Sequence, residues 1–309
     1  MKQDKDTICL GEIPRKTVLV IGDIMLNQHI IAKEKLEQTD SPYPVIASYD
    51  NINKLAASAR IALMIKKLGV SILLAGMVGK DEEGATIKRM LRAEGIPLVL
   101  GLYSRPTSVR KTISICDKPI LGLEGSRGPH IKAGVFQSII QLITLLSEEL
   151  STIIICDYGR GLISDELIVT INECCRHKDI NTIGLVKNME TDNSIEKYKG
   201  LKTIVIDKAL LKLLDSNTFA KTEDIEATSL DIFKKTGSNE CLLVWDTKKA
   251  YLCKRDKSLV EIGLSVTDHA FIGADELLVT ALTLAYTQNL TIDTSLDKAY
   301  KVARHYHIS

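Results

Sequence analysis

Toward the C-terminal end, Asp275 follows Gly273-Ala274 and leads straight into an apolar helical run, Leu277 to Tyr286. That layout sets a carboxylate beside a helix N-terminus, whose unpaired N–H groups and positive end attract an anion. The carboxylate can take a proton from a hydroxyl held nearby, or it can simply cap the helix. Ile272, just ahead of the glycine, is bulky and β-branched, so the turn is one glycine short of an easy cradle for phosphate. Three more aspartates close strand-like runs: Asp23 after Gly22, Asp157, and Asp207. Asp157 also opens Asp157-Tyr158-Gly159-Arg160-Gly161, which reads either as a glycine-rich structural loop or as a polar patch facing a ligand. Arg60 and Arg110 are either solvent charges or anion contacts. His305 and His307 have no acid or thiol nearby in sequence and read as a frayed tail rather than a metal clip, and no metal ligands are expected.

Short β-branched runs alternate with helical patterns and must hold these groups in place. Thr17 to Asp23, Val70 to Gly76, Ser151 to Asp157, Asn181 to Val186, Lys202 to Asp207 and Glu240 to Asp246 read as buried strands. Ala85 to Gly95, Val135 to Leu150 and the segment after Ser164 read as helices, with Ser164 as an N-cap and Asp165 and Glu166 at the positive end. The alternation predicts an α/β fold with a mainly parallel, doubly wound sheet flanked by helices. Ligands in such sheets bind beyond the carboxyl ends of the strands, where Asp23, Asp157 and Asp207 fall. Ile24 to Ile31, Pro44 to Tyr49, and Pro97 to Ser104 leading into Val109 to Asp117 break the rhythm. They predict a small β lid, its strands roughly within 24–49 and 98–116.

The chain has 309 residues, 45% hydrophobic and 26% charged, with 40 basic residues against 39 acidic ones. That composition suits a globular domain and gives no support to nucleic-acid or membrane-surface binding. No stretch is apolar for the length of a membrane span, and the first residues have no signal-like apolar core. Seven scattered cysteines without a Cys-x-x-Cys pair fit a reduced, cytoplasmic protein and argue against a zinc site.

Val18-Leu19-Val20-Ile21-Gly22-Asp23-Ile24-Met25-Leu26, then an Ala-rich helix, Gly76 to Gly84, Asp157 to Gly161 and the late Gly273-Ala274-Asp275 resemble the ribokinase (PfkB-type) sugar kinases. Within them the match is nearest the heptose 7-phosphate kinase domain of ADP-heptose synthesis, and it runs from about Val18 to Tyr286. The resemblance implies one ribokinase-like domain over residues 1–309, without a C-terminal nucleotidyltransferase domain, and a homodimer through the lid. It implies ATP and Mg2+ as cofactors and a sugar phosphate as substrate. Asp275 would be the base, and the backbone of Gly273 and Ala274 the anion hole. Asp23, Asn27, Arg110, Asp157, Tyr158 and Arg160 would contact the sugar phosphate, and Lys187 and Lys208 the nucleotide.

Departures from the family pattern cluster in the same places. A D-x-x-G-A-G-D turn reads His269 to Asp275 here, with Ile272 and Ala274 at glycine positions. Gly-Gly-x-x-Asn reads Ala56-Ala57-Ser58-Ala59-Arg60, an Asn-x-x-Glu reads Lys208 to Leu211, and Asp-Pro-Lys keeps only Lys187. A Thr-rich nucleotide loop reads Val244 to Ala250, and the sugar-binding aspartate is Asn27. Losing one anion-hole donor typically costs about a hundred- to a thousandfold in rate. The expectation is therefore a sugar-kinase homologue with impaired catalysis that binds a sugar phosphate or regulates a partner. The alternative is an active kinase of heptose 7-phosphate or a related sugar with Asp275 as base.

Overall fold

The computed structural model describes residues 16–36, 45–99, 102–103, 105–115, 118–125, 133–187, 192–208, 210–211, 225–246, 248–264 and 273–308. Its strands are β1 Thr17–Gly22, β2 Ile24–Leu36, β3 Val45–Ala57, β4 Ile72–Ala75, β5 Val78–Gly79, β6 Leu102–Tyr103, β7 Ser108–Ile115, β8 Lys118–Glu124, β9 Leu150–Asp157, β10 Asn181–Val186, β11 Thr203–Asp207, β12 Glu240–Val244, β13 Lys249–Lys254 and β14 Leu259–Gly263. Its helices are α1 Ser58–Lys67, α2 Glu82–Ala93, α3 Ala133–Leu145, α4 Asp165–Cys175, α5 Ile225–Thr236, α6 Ala274–Gln288 and α7 Ile292–Ile308.

Eight strands form the main sheet in the order β14-β13-β12-β11-β10-β9-β1-β4. All pairs from β4 through β12 are parallel, and β13 and β14 close the edge antiparallel. The strands read as unbroken apolar runs because both faces are covered. Val18 and Val20 point into a core shared with α1, α6 and α7, while Leu19 and Ile21 point into a second core under α3, α4 and α5. Ser164 accepts the Leu167 N–H at 3.3 Å, as its position ahead of α4 predicts.

A second sheet, β3-β2-β7-β8, is the lid. At its root Leu26 lies opposite both Leu55 and Val109, and Leu26 and Leu55 are buried against the body. One residue on, Asn27 sits between Lys54 and Arg110 on the neighbouring strands.

Four expectations are corrected. The described part of the run 97–104 is not a lid strand: Leu74 donates to Pro97 O and Val99 donates to Leu74 O, while β6 pairs with β5. An otherwise open sheet edge claims that backbone, since unpaired strand groups need partners. The lid is instead longer than expected, reaching Ala57 in β3 and adding β8. The helix expected to Leu150 stops at Leu145, because Leu150 pairs with Thr17 and begins β9. The tail at His305 to His307 is not frayed, and its backbone is the last turn of α7.

The Gly76 to Gly84 motif has a structural role. Asp81 caps α2, accepting from Gly84 N at 2.8 Å and from the N–H and hydroxyl of Thr107 at 2.6 and 2.5 Å. Gly79 N donates to Thr107 Oγ1 at 2.8 Å, and a Cβ at Gly79 would lie 2.6 Å from Arg105 O. The start of β7, and with it the register of Arg110, is thereby pinned to the body.

Candidate active site

The carboxyl ends of β1, β9, β10 and β11 meet the N-terminus of α6. Gly273 is the N-cap, with an extended backbone and no side-chain cap. Asp275 in the first turn is buried, and its Oδ2 lies 3.0 Å from Lys187 Nζ. The same ammonium donates to Asp207 Oδ2 at 2.6 Å. Burial works against the Lys187 charge, but Asp275 and Asp207 outweigh it and hold the ammonium well above its ordinary pKa. Lys187 sits one residue past β10, where its N–H donates to Asp157 O at 2.9 Å.

Beside Asp275, Glu276 is buried and receives the Tyr158 hydroxyl at 2.8 Å on Oε1. Arg60 Nε approaches Glu276 Oε2 at 2.9 Å. Burial raises the Glu276 carboxyl, and Arg60 pulls it back toward the ionised form. Arg60, where the resemblance leads one to expect a short amide, is thus a guanidinium tied across to the site helix. Two residues before it, Ser58 begins α1 and donates its N–H and hydroxyl to Asp23 O. Ala57, directly before Ser58, holds φ 56° and ψ −133°, a conformation that suits glycine.

Asp23 occupies the turn from β1 into the lid strand β2. Its Oδ2 accepts from Tyr158 N and Arg160 N, both at 3.0 Å, while Oδ1 is buried without a hydrogen-bond partner. Burial, with Asp157 close by, pushes its carboxyl up to about 6. Both oxygens of Asp157 are engaged inside the chain. Oδ2 accepts from Lys197 at 2.6 Å and Tyr198 at 2.9 Å, and Oδ1 from Gly159 N at 2.9 Å. Arg160 is buried and donates to Gly125 O at 2.6 Å and to Glu124, tying the Asp157–Gly161 loop to the end of β8.

The structure therefore gathers Asp275, Gly273, Ala274, Lys187, Asp23, Asp157, Tyr158 and Arg160 at one end of the sheet. Asn27 and Arg110 sit on the lid, half-buried and exposed respectively. Lys208, next in sequence to Asp207, has its Nζ 4.1 Å from the centre of the Trp245 ring. Glu276 and the Lys187 partnership of Asp207 were missed. A strand-end aspartate was visible for the second, but nothing local marks the first. Asp268, His269 to Ile272, Ala209 and Thr247 lie outside the described residues, as do Cys9 and Cys116.

Among the described residues no three or more His, Cys, Asp and Glu side chains gather as a metal cage. The two nearest carboxylates, Asp207 and Asp275, are both taken up by the Lys187 ammonium, so a Mg2+ ion arriving with nucleotide would find its ligands chiefly in phosphate oxygens and water. Leu211, where the resemblance leads one to expect a metal-organising acid, is wholly buried in the core.

No family model matches the chain. It is 22% identical to the bifunctional protein HldE of Helicobacter hepaticus (strain ATCC 51449 / 3B1), over 89% of this chain and 57% of that protein. It is 20% identical to the protein of the same name from Koribacter versatilis (strain Ellin345), over 89% and 56%. The chain thus spans a little over half the length of these relatives. Among solved structures it matches the tetrameric inhibited form of phosphofructokinase-2 from Escherichia coli with a TM-score of 0.70 at 11% identity, over 95% of this chain and 99% of the other. The microbiome-derived acarbose kinase Mak1 matches with a TM-score of 0.67 at 15% identity, over 94% and 92%.

Proposed function

The chain has the ribokinase-like fold of the PfkB-type carbohydrate kinases, and from that premise we propose that it phosphorylates a hydroxyl of a sugar phosphate, slowly, at the expense of ATP. The observation that carries this reading is the buried Asp275 carboxylate in the first turn of α6, held at 3.0 Å by Lys187. ATP would supply the phosphoryl group and Mg2+ would neutralise its charge. The work left to the protein is placement. Asp275 takes the proton of the attacking hydroxyl, and the N–H groups of Gly273 and Ala274 face the developing negative charge. Lys187 supplies a cation that stays protonated at any working pH. The partnerless Oδ1 of Asp23 accepts from a second sugar hydroxyl, since a buried acceptor without a donor is costly. Asn27 and Arg110 close over the sugar phosphate from the lid, and Tyr158 and Arg160 line its base. Lys208 and the Trp245 face would meet the nucleotide.

A second reading, a sugar-phosphate-binding or regulatory protein without turnover, is favoured by the Arg60–Glu276 pair. It places a guanidinium where the family has a small amide. Thermal unfolding with ATP and Mg2+, with heptose 7-phosphate or fructose 6-phosphate, and with both separates the two. Ligand at about a hundred times its Kd should add roughly 2.7 kcal/mol. Stabilisation by nucleotide and sugar phosphate, with turnover that Asp275→Asn abolishes, is the expected result. Stabilisation by sugar phosphate alone would favour the second reading, and none at all would sink both.

The same proposal includes a single ribokinase-like unit acting in the cytoplasm, with small-molecule rather than nucleic-acid or membrane partners. Among the described residues no helix is long and apolar enough to cross a membrane. The lid exposes Tyr49, Ile120, Leu121 and Leu123, which supports a homodimer through that sheet. Sedimentation velocity should show a dimer that Leu121→Lys dissociates; a monomeric parent would remove the idea.

A further inference from the structure

Cys241 in β12 and Cys253 in β13 lie directly opposite each other on neighbouring antiparallel strands, and both belong to the core under α5. Residues so placed have Cα atoms about 4.5–5.5 Å apart, within the roughly 4.4–6.8 Å that a disulfide spans. Both are free thiols, and their side chains hydrogen-bond each other. Their surroundings differ. Cys241 is sealed in the core at 0% exposure. Cys253 forms part of the wall of a cavity of about 110 Å³ between α5 and the β13–β14 hairpin, with Ser229, Phe233 and Lys257. Leu230 and Leu259, which also line it, are exposed, so the cavity opens to solvent. A single water needs only about 10–15 Å³ of such space, so a small hydroperoxide has room beside the Cys253 sulfur. Hydrogen bonding from Cys241 holds Cys253 below the ordinary thiol pKa although burial opposes it, while burial pushes Cys241 up. The thiolate is the nucleophile, so Cys253 is the reactive member of the pair.

From the opposed thiols and the cavity that reaches one of them, we propose that Cys253 is a site of reversible oxidation by a hydroperoxide, with Cys241 as its resolving thiol. The Cys253 sulfur attacks one peroxide oxygen; the O–O bond breaks, an S–O bond forms, and the thiol proton leaves with the other oxygen as water. The Cys241 sulfur then attacks the Cys253 sulfur, an S–S bond replaces the S–O bond, and a second water carries away the Cys241 proton. The two sulfurs together lose two electrons, which the peroxide gains. A dithiol reductant restores both thiols by exchange. The proposal does not rest on the kinase reading.

The test treats the folded chain with hydrogen peroxide, denatures it, alkylates the remaining thiols and maps the peptides by mass spectrometry. The expected result is a Cys241–Cys253 cross-link, with both thiols lost to alkylation and both recovered after dithiothreitol. In Cys241→Ser the sulfenic acid should accumulate on Cys253, where dimedone traps it. In Cys253→Ser the Cys241 thiol should stay reduced. Circular dichroism checks that both variants fold, and the cross-link in the parent is read without them. A parent whose Cys241 and Cys253 stay alkylatable while other cysteines oxidise overturns the proposal. So does a dimedone adduct on Cys241 in Cys253→Ser, or sulfinic acid on Cys253 of the parent without a cross-link.

Discussion

A Cβ at Gly273 would lie 2.3 Å from Asp275 Oδ1, closer than any real contact. The glycine is needed for the clearance of the carboxylate rather than for an unusual φ, since its backbone is extended. Gly273→Ala should push the Asp275 side chain off Lys187 and lower turnover at least a hundredfold, the scale of a lost active-site contact. Steady-state kinetics beside an unchanged circular dichroism spectrum checks this, and an active Ala variant would mean that Asp275 is not the base. Asp23 offers a pH signature. Its folded-state carboxyl titrates near 6, above its ordinary value of 3.8. Between those values the folded chain holds a proton that the unfolded chain has lost, so this group's contribution to stability falls as pH rises through the window. At neutral pH the cost is on the order of 3 kcal/mol. Asp23→Asn should gain on the parent as pH goes from 4 to 7 in urea titrations, and a constant difference would show that Asp23 is not the source.

The turn from β3 into α1 is bent by Ala57 at positive φ, while the preceding Ala56 is not among the positive-φ residues. Both are buried in the same small cluster. Backbone strain of this kind costs about 1–3 kcal/mol, and glycine at 57 would relieve it. Ala57→Gly should therefore be neutral or up to about 1 kcal/mol stabilising, whereas Ala56→Gly should lose about 1 kcal/mol. Equal losses at both positions, measured by thermal melts, would mean that the corner is not strained. Elements were legible in the sequence wherever burial on both faces wrote an unbroken apolar run, as in β1, β9 and β10. β13 and β14 were not read, because edge strands such as Lys249–Lys254 mix polar and apolar residues. The lid was recognised but its limits were not, since alternation marks a strand without naming the sheet that it joins. Strand-end acids were visible one by one. Their partnerships were not, because the closeness of Lys187 to Asp207 and Asp275 is set by strand register and helix placement.

Across the whole molecule, Asp23 joins body to lid through the chain itself, and Arg160 joins them again through Gly125 and Glu124. Two ties of this kind let a ligand at the strand ends bear on the lid. The Arg60–Glu276 pair spans most of the sequence, joining α1 near the start of the chain to α6 near its end. Removing one partner of a buried ion pair typically costs about 3–5 kcal/mol, while removing both together costs far less. Arg60→Asn and Glu276→Ala should each destabilise on that scale, and the double variant should recover most of the loss in a double-mutant cycle. Additive losses would show that the pair is not coupled. If the two are coupled, return to a short amide at position 60 is closed to any single change. A lineage carrying this pair faces a one-way gate: a short amide at position 60 without loss of stability lies two simultaneous substitutions away.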